Sequence, residues 1–267
     1  MFNRTNAFGL VCTLLAATSL GAQQTPEQWL ERCRSSRGSG EHHCELREYT
    51  LAAPGGVLLI SASANGGVLV MAADRPDIRV VARVEAHARS ISAAESLARE
   101  AEVVLGAGEI RSRGPKVSGN QGWSISYDVW APAGTSVRLR SVNGGLTTQG
   151  ITGDVDAETT NGGIHLEGVR GAVSARTTNG GIDIEVAGGT LGGVGIGART
   201  TNGGVTLTVP ESFGAALSAK VVNGGITLGF PVQMMGKIGR NLETTLGSGG
   251  PPISLETVNG GVTIRRP

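Results

Sequence analysis

One tripeptide, Asn-Gly-Gly, recurs seven times, beginning at Asn65, Asn143, Asn161, Asn179, Asn202, Asn223 and Asn259. From Asn143 to Asn223 the copies are 18, 18, 23 and 21 residues apart, and the last interval, 36, is twice 18. A fixed period near 20 residues signals a chain built from stacked supersecondary units. The flanks repeat with the corner. Three and five residues after each Asn come Val68/Val70, Leu146/Thr148, Ile164/Leu166, Ile182/Ile184, Val205/Leu207, Ile226/Leu228 and Val262/Ile264. Six and four residues before come Val137/Leu139, Val155/Ala157, Val173/Ala175, Ile196/Ala198, Leu217/Ala219 and Ile253/Leu255. Spacing by two means alternate side chains point inward from a β-strand. Each repeat therefore holds two short strands and two corners, the second falling at sites such as Gly153 and Gly171.

The residues of the corner suit a tight turn. Glycine adopts positive φ freely and asparagine tolerates it, so Gly180 and Gly203 are expected to resist substitution by valine. An Asn-Gly pair also marks hairpins, which makes a meander the rival fold. A corner that returns once per two strands, in register, favours a single-stranded β-solenoid of about 18–21 residues per rung. One turn of 18 residues at about 3.3 Å each measures about 60 Å, a thin flattened tube. Stacked rungs would align the seven asparagines into a ladder of amide hydrogen bonds.

Composition fits this reading. The chain has 43 Gly in 267 residues and only 3 % aromatic residues, against a usual glycine share of roughly 7 %. Small core side chains and many turns follow, and an aromatic-lined cleft does not. The net charge of +1 gives no electrostatic case for nucleic acid or an anionic membrane.

The chain starts with a secretory leader over residues 1–22: Arg4, an apolar run over 7–20, then Gly21 and Ala22. That run is too short to span a bilayer, and the expectation is an exported protein in the periplasm, on the outer surface or outside the cell. Cys12 falls inside the leader. Cys33 and Cys44 remain and are expected to form one disulfide. His42 and His43 beside Cys44 raise zinc as an alternative, but the spacing fits no common zinc pattern. Residues 23–45 read as an irregular segment pinned by that disulfide. Residues 46–135 read as an N-terminal β region. Within it Ser92 and Glu95 form a capping box opening one amphipathic helix over 92–103, placed to cap the tube. Trp123, Ile125, Tyr127 and Val129 alternate as a half-buried strand. Residues 136–267 form the repeat proper.

Three residues before Asn stand Arg140, Glu158, Arg176, Arg199, Lys220 and Glu256, outward by parity. Stacked in chain order, Arg199 and Lys220 place like charges together, a basic spot for an acidic partner. The stretch 230–252, with Met234 and Met235, breaks the repeat and is a second place for partner contact. Asp154, Asp156, Asp183 and Glu185 are the carboxylates that a glycan-cleaving enzyme of this shape would use. Calcium repeats need an Asp per rung, and the Gly-rich run 192–197 lacks the following helix of a dinucleotide loop. The expectation is no enzyme, no cofactor and no metal.

The Asn-Gly-Gly-Ile/Val strands after a leader, the Trp-Ser-Ile-Ser-Tyr strand at 123–127 and the closing Thr-Val-Asn-Gly-Gly-Val-Thr-Ile at 257–264 carry a resemblance. Over residues 45–266 the chain resembles the bacterial β-strand-repeat putative adhesin family, a domain of unknown function, and is similar to adhesin-head β-solenoid domains. The resemblance implies a right-handed solenoid at a bacterial envelope, all-β apart from its helix, that contacts a protein or a glycan. It brings no catalytic residue with it. A periplasmic scaffold or envelope-stress component acting on one partner protein is the alternative function, and a glycan-cleaving enzyme a minor one.

Overall fold

The computed structural model describes residues 24–36, 40–62, 65–189, 191–192, 195–231 and 239–267. The expected leader over residues 1–22, with Cys12, and Met234 and Met235 lie outside the described residues.

The chain is mostly β. It opens with α1 (Pro26–Ser35), β1 (Glu41–Ala52), β2 (Leu58–Ser61), β3 (Val68–Ala72), β4 (Asp77–Ala88), α2 (Ile91–Glu100), β5 (Glu102–Gly106), β6 (Glu109–Arg113) and β7 (Gly122–Ala131). The repeats follow as strand pairs: β8 (Val137–Asn143) with β9 (Leu146–Gln149), β10 (Val155–Asn161) with β11 (Ile164–Val169), and β12 (Val173–Asn179) with β13 (Ile182–Val186). Next come β14 (Ile196–Asn202) with β15 (Val205–Thr208), then β16 (Ala215–Asn223) with β17 (Ile226–Leu228). A lone strand β18 (Asn241–Leu246) precedes the final pair, β19 (Pro252–Asn259) and β20 (Val262–Arg265).

Two ten-stranded sheets share this material. Sheet I runs β1-β4-β7-β3-β9-β11-β13-β15-β20-β17, and sheet II runs β18-β16-β19-β14-β12-β10-β8-β2-β6-β5. Every Asn-Gly-Gly corner joins a strand of sheet II to a strand of sheet I. Neighbouring rungs pair parallel and in register, as Val155 with Val173 and Ile164 with Ile182. The inward residues of both sheets form one core. Leu139, Ala157, Ala175, Leu166, Ile184 and Leu207 are all at most 0 % exposed. Burying each large aliphatic side chain stabilises by about 1.5–3 kcal/mol, and the alternation repeats that term in every rung.

The rungs do not stack in chain order. β19 and β20 pair with β14 and β15 on one side and with β16 and β17 on the other. The last pair in the sequence is thus inserted between the two that precede it. β18 then closes sheet II beyond β16 as an antiparallel strand. This corrects the adjacency expected from sequence: Glu256 sits between Arg199 and Lys220, facing both in register. The pair of neighbouring like charges is Arg176 and Arg199 instead.

At the other end the pattern changes. β1, β4 and β7 are antiparallel in sheet I, and β6 pairs with β2 and β5 in sheet II. α2 packs on the core side against β4 and β1, burying Ala94, Leu97 and Ala98. Arg47 of β1 donates to the carbonyls of Ala98 and Ala101, holding the helix C-terminus. The helix is shifted from the expected 92–103. Ser90, in extended conformation, is the N-cap and accepts from the Ala93 amide. The β-branched pair Val103-Val104 joins β5 rather than the helix. The segment read as irregular at 23–45 contains α1 and the start of β1. Thr25 and Gln28 form a reciprocal capping box, with Pro26 in the first turn. Cys33 of α1 is bonded to Cys44 of β1.

Candidate functional site

The corners order the site. The Asn side chains form one continuous file: Asn143 donates to Asn65, Asn161 to Asn143, Asn179 to Asn161 and Asn202 to Asn179, each at 2.8–2.9 Å. Asn259 donates to Asn202 and Asn223 to Asn259, both at 2.8 Å, so the file follows the spatial order of the rungs. A second file, missed in the sequence, runs just inside it. The hydroxyl two residues before each Asn donates to the first glycine carbonyl of the preceding rung. The pairs are Ser141 to Gly66, Thr159 to Gly144, Thr177 to Gly162, Thr200 to Gly180 and Thr257 to Gly203. The signal was present as a recurring Ser/Thr at that position. Val221 replaces it in the terminal rung.

Close stacking fixes the glycine. A Cβ on Gly180 would fall on the carbonyl of Gly162, inside van der Waals contact. Gly203 has φ +154° and meets Gly180 in the same way. At Gly180 the need is therefore space for the next backbone, not the positive φ expected from sequence.

With the rungs held in register, outward side chains form straight columns on sheet II. The first column holds Arg138, Asp156, Ser174, Gly197 and Ser254, and the second Arg140, Glu158, Arg176, Arg199, Glu256 and Lys220. Between large side chains and small ones the surface dips. A groove of about 440 Å³ runs over the strand starts of β8, β10, β12, β14 and β19, with Val57, Arg138, Asp156, Ser174 and Pro252 among its walls. A neighbouring hollow of about 200 Å³ shares Gly197 and Ser254 with it and is flanked by Arg176 and Arg199. The two form one depression crossing five rungs.

Its charges are arranged unevenly. Asp156 accepts from Arg138 at 3.0 Å and from Arg140 at 2.7 Å. Burial alone raises the Asp156 carboxyl, but the Arg140 and Arg138 guanidiniums outweigh it and hold the group below the usual carboxylate range. Arg199 has one acidic neighbour, Glu256 at 3.4 Å, and keeps 67 % of its side chain exposed. Arg176 is exposed and donates to the Ser174 hydroxyl at 2.7 Å.

The sequence-marked carboxylates are not brought together. Asp154 and Asp156 lie at the start of sheet II strand β10, whereas Asp183 and Glu185 are on β13 of sheet I. The core separates the two outer faces, so a catalytic pair across these rungs is not assembled. Asp154 instead accepts from the Ala172 amide at 2.8 Å, bracing the second corner, and Asp183 lies 3.6 Å from His165. His42 faces Glu85, and His43 faces Glu45. Among the described residues, no three His, Cys, Asp or Glu side chains converge as metal ligands do, and no helix is long and apolar enough to cross a membrane.

A buried charge lies on the outer face of sheet I. Asp128 is 3 % exposed and 3.2 Å from Arg83, close but not aligned as a hydrogen bond. Burial pushes its carboxyl up, and Arg83 only partly opposes this. The Trp29 ring of α1 covers Arg83 at 5.8 Å.

Residues 77–265 match the family described as Toastrack DUF4097. No curated protein matches the chain. Among solved structures, it is similar to a putative cell adhesion protein from Clostridium sporogenes ATCC 15579, at 15 % identity and a TM-score of 0.49 over 84 % of this chain and 100 % of that one. A putative adhesin from Bacteroides fragilis NCTC 9343 is similar at 13 % identity and a TM-score of 0.42, over 84 % of this chain and 97 % of that one.

Proposed function

The chain belongs to the Toastrack DUF4097 family, a domain of unknown function, and from that premise we propose that it acts without catalysis, as an exported scaffold whose outer sheet faces contact a protein or a glycan. In this reading the stack is a right-handed β-solenoid with one strand per sheet in each rung. Adhesion at the cell envelope is the concrete form of the function.

One observation carries the proposal. The rungs are locked to one another by two files of hydrogen bonds, and their outward side chains therefore stand in fixed columns across sheet II. A preordered backbone lowers the ordering cost of association. Of the carboxylates considered for a hydrolase, Asp154 and Asp156 belong to sheet II and Asp183 and Glu185 to sheet I, which favours the non-catalytic reading.

The test is binding of the purified chain without residues 1–22 to cells, matrix and envelope extracts, beside protease treatment of intact cells carrying a tagged copy. Cleavage on intact cells together with binding supports adhesion. Protection until the outer membrane is broken overturns adhesion and directs crosslinking to a periplasmic partner.

A further inference from the structure

We propose that the depression on sheet II is a binding site for an acidic polysaccharide, with Arg176 and Arg199 receiving a carboxylate or sulfate group of the polymer. The proposal rests on the contact-surface reading and names the ligand class for it.

The arginine pair is the first ground. Along the second column charges otherwise alternate, Arg140 beside Glu158 and Arg199, Glu256 and Lys220 in succession. Opposite charges on neighbouring strands stabilise a sheet, and like charges directly opposite destabilise it. The alternation fails only where Arg176 faces Arg199 in register, about 4.8 Å apart across parallel strands. Glu158 and Asp156 are drawn to Arg140 on the far side. Arg199 reaches Glu256 at 3.4 Å and Arg176 donates to Ser174; an anion beside both guanidiniums offsets the positive charge that one glutamate leaves, and arginine offers it planar, paired donors.

The floor is the second ground. Immediately beside the pair, the first column shrinks to Ser174, Gly197 and Ser254, and the hollow opens there. The arginines thus stand at the wall of a recess rather than on a flat face. Gly197, the Ser254 hydroxyl and the Glu256 carboxylate line this hollow with the two arginines, and Ser174 lines the adjoining groove, so hydroxyl partners stand beside the charged pair for a ligand lying across the strands.

The sheet excludes a peptide added as a further strand at this place. An extended peptide binds a sheet through main-chain hydrogen bonds at an edge. β12 and β14 are interior strands, paired on both sides, so their backbone groups are already engaged. Only side chains remain to recognise a ligand, through charge and hydroxyl groups. The groove continues to Arg138 and Asp156 and crosses five rungs, about 20 Å by strand spacing, room for several sugar units.

The experiment measures binding of the chain without residues 1–22 to polygalacturonate, dextran sulfate, neutral dextran and poly-glutamate, at low and high salt. The wild type is expected to bind polygalacturonate or dextran sulfate in a salt-weakened manner and to ignore neutral dextran. The two anionic polymers distinguish a carboxylate from a sulfate ligand. Arg176→Ser/Arg199→Ser is expected to lose at least tenfold in affinity, while Arg111→Ser/Arg113→Ser on β6 keeps it. Circular dichroism and melting temperature, measured on all three proteins, show whether each is folded. Should the double variant not fold, Arg176→Gln alone gives the same readout. Undiminished binding by a folded Arg176/Arg199 variant overturns the site, as does equal binding of poly-glutamate or no binding of either anionic glycan. Cell or matrix adhesion that survives in the variant overturns this site and leaves the contact-surface function standing.

Discussion

Adjacent glycines in one corner should respond differently to a single methyl group. Gly180 and Gly181 follow Asn179, and neither has a positive φ. A Cβ at Gly180 would fall on the Gly162 carbonyl and crowd the Gly163 amide. A Cβ at Gly181 would have the Gly204 carbonyl as its nearest neighbour at 3.6 Å, ordinary contact. Gly180→Ala must therefore push two rungs apart. Overpacking of a close-packed site costs about 1–3 kcal/mol. The Gly162 carbonyl that must move also accepts from Thr177, and Asn179 bridges Asn161 and Asn202. Weakening these adds about 0.5–1.5 kcal/mol for each bond lost. The expected total is about 3–5 kcal/mol, which for a chain of this size lowers Tm by roughly 6 °C or more. Gly181→Ala should stay within about 1 kcal/mol of wild type, because reduced freedom of the unfolded chain offsets any crowding. Thermal and urea unfolding of both variants measure this. Equal losses at the two positions, or an unshifted Gly180→Ala, would refute the argument that rung spacing sets the corner.

Other outcomes follow from single groups. Thr148 is 0 % exposed and its hydroxyl has no hydrogen-bond partner; Thr148→Val should stabilise by about 1–2 kcal/mol in urea unfolding. Cys33→Ser/Cys44→Ser opens a loop with a sequence separation of 11 and should cost about 3 kcal/mol in the chain-entropy account, read as a lower urea midpoint. The Asp156 carboxyl lies below its ordinary value, so its contribution is present above about pH 4 and lost as pH falls through the lower folded value. Asp156→Asn should flatten that acid loss in unfolding measured between pH 7 and pH 2. Asp128 has the opposite sign: its raised carboxyl favours the fold below its unfolded value and loses that contribution as pH rises through the folded one. The stability difference between Asp128→Asn and wild type should therefore move in the variant's favour from pH 3 to pH 7.

Much of the core was legible because it is written locally. Inward pairs such as Ile182/Ile184 and Val173/Ala175 follow period two beside an unmistakable corner, and both sheets bury them. Ile226 and Leu228 fit the same pattern yet remain half-buried, because their strand is the last in sheet I. Position in the stack, not sequence, decides that difference. α1 was harder to read, since its apolar stripe of Pro26, Trp29, Leu30 and Cys33 is only two turns long and buries Cys33 alone. Its Thr-Pro-Glu-Gln start at Thr25 was the available sign. The rung order could not be read from the corners, which are identical and admit any neighbour. Charge held the clue, since Glu256 inserted between Arg199 and Lys220 pairs with Arg199 and separates the two cations. The separation of the carboxylates was hidden for a related reason. Parity separates inside from outside, but Asp156 and Asp183 are both outside on different sheets.

The inserted final rung has a consequence for how the protein is made. A chain that leaves the ribosome, or crosses a membrane, N-terminus first cannot add its rungs one after another to the end of a growing stack. Strands β16 and β17 emerge before the unit that must separate them from β14 and β15, so the C-terminal third stays unfinished until residues near Arg265 are free. A prematurely terminated chain lacks an interior course of the wall, not its edge, and leaves two unmatched surfaces for proteases to find. Here the unit over residues 252–265 lies inside the one made before it, between β14/β15 and β16/β17, and holds that outer course in place.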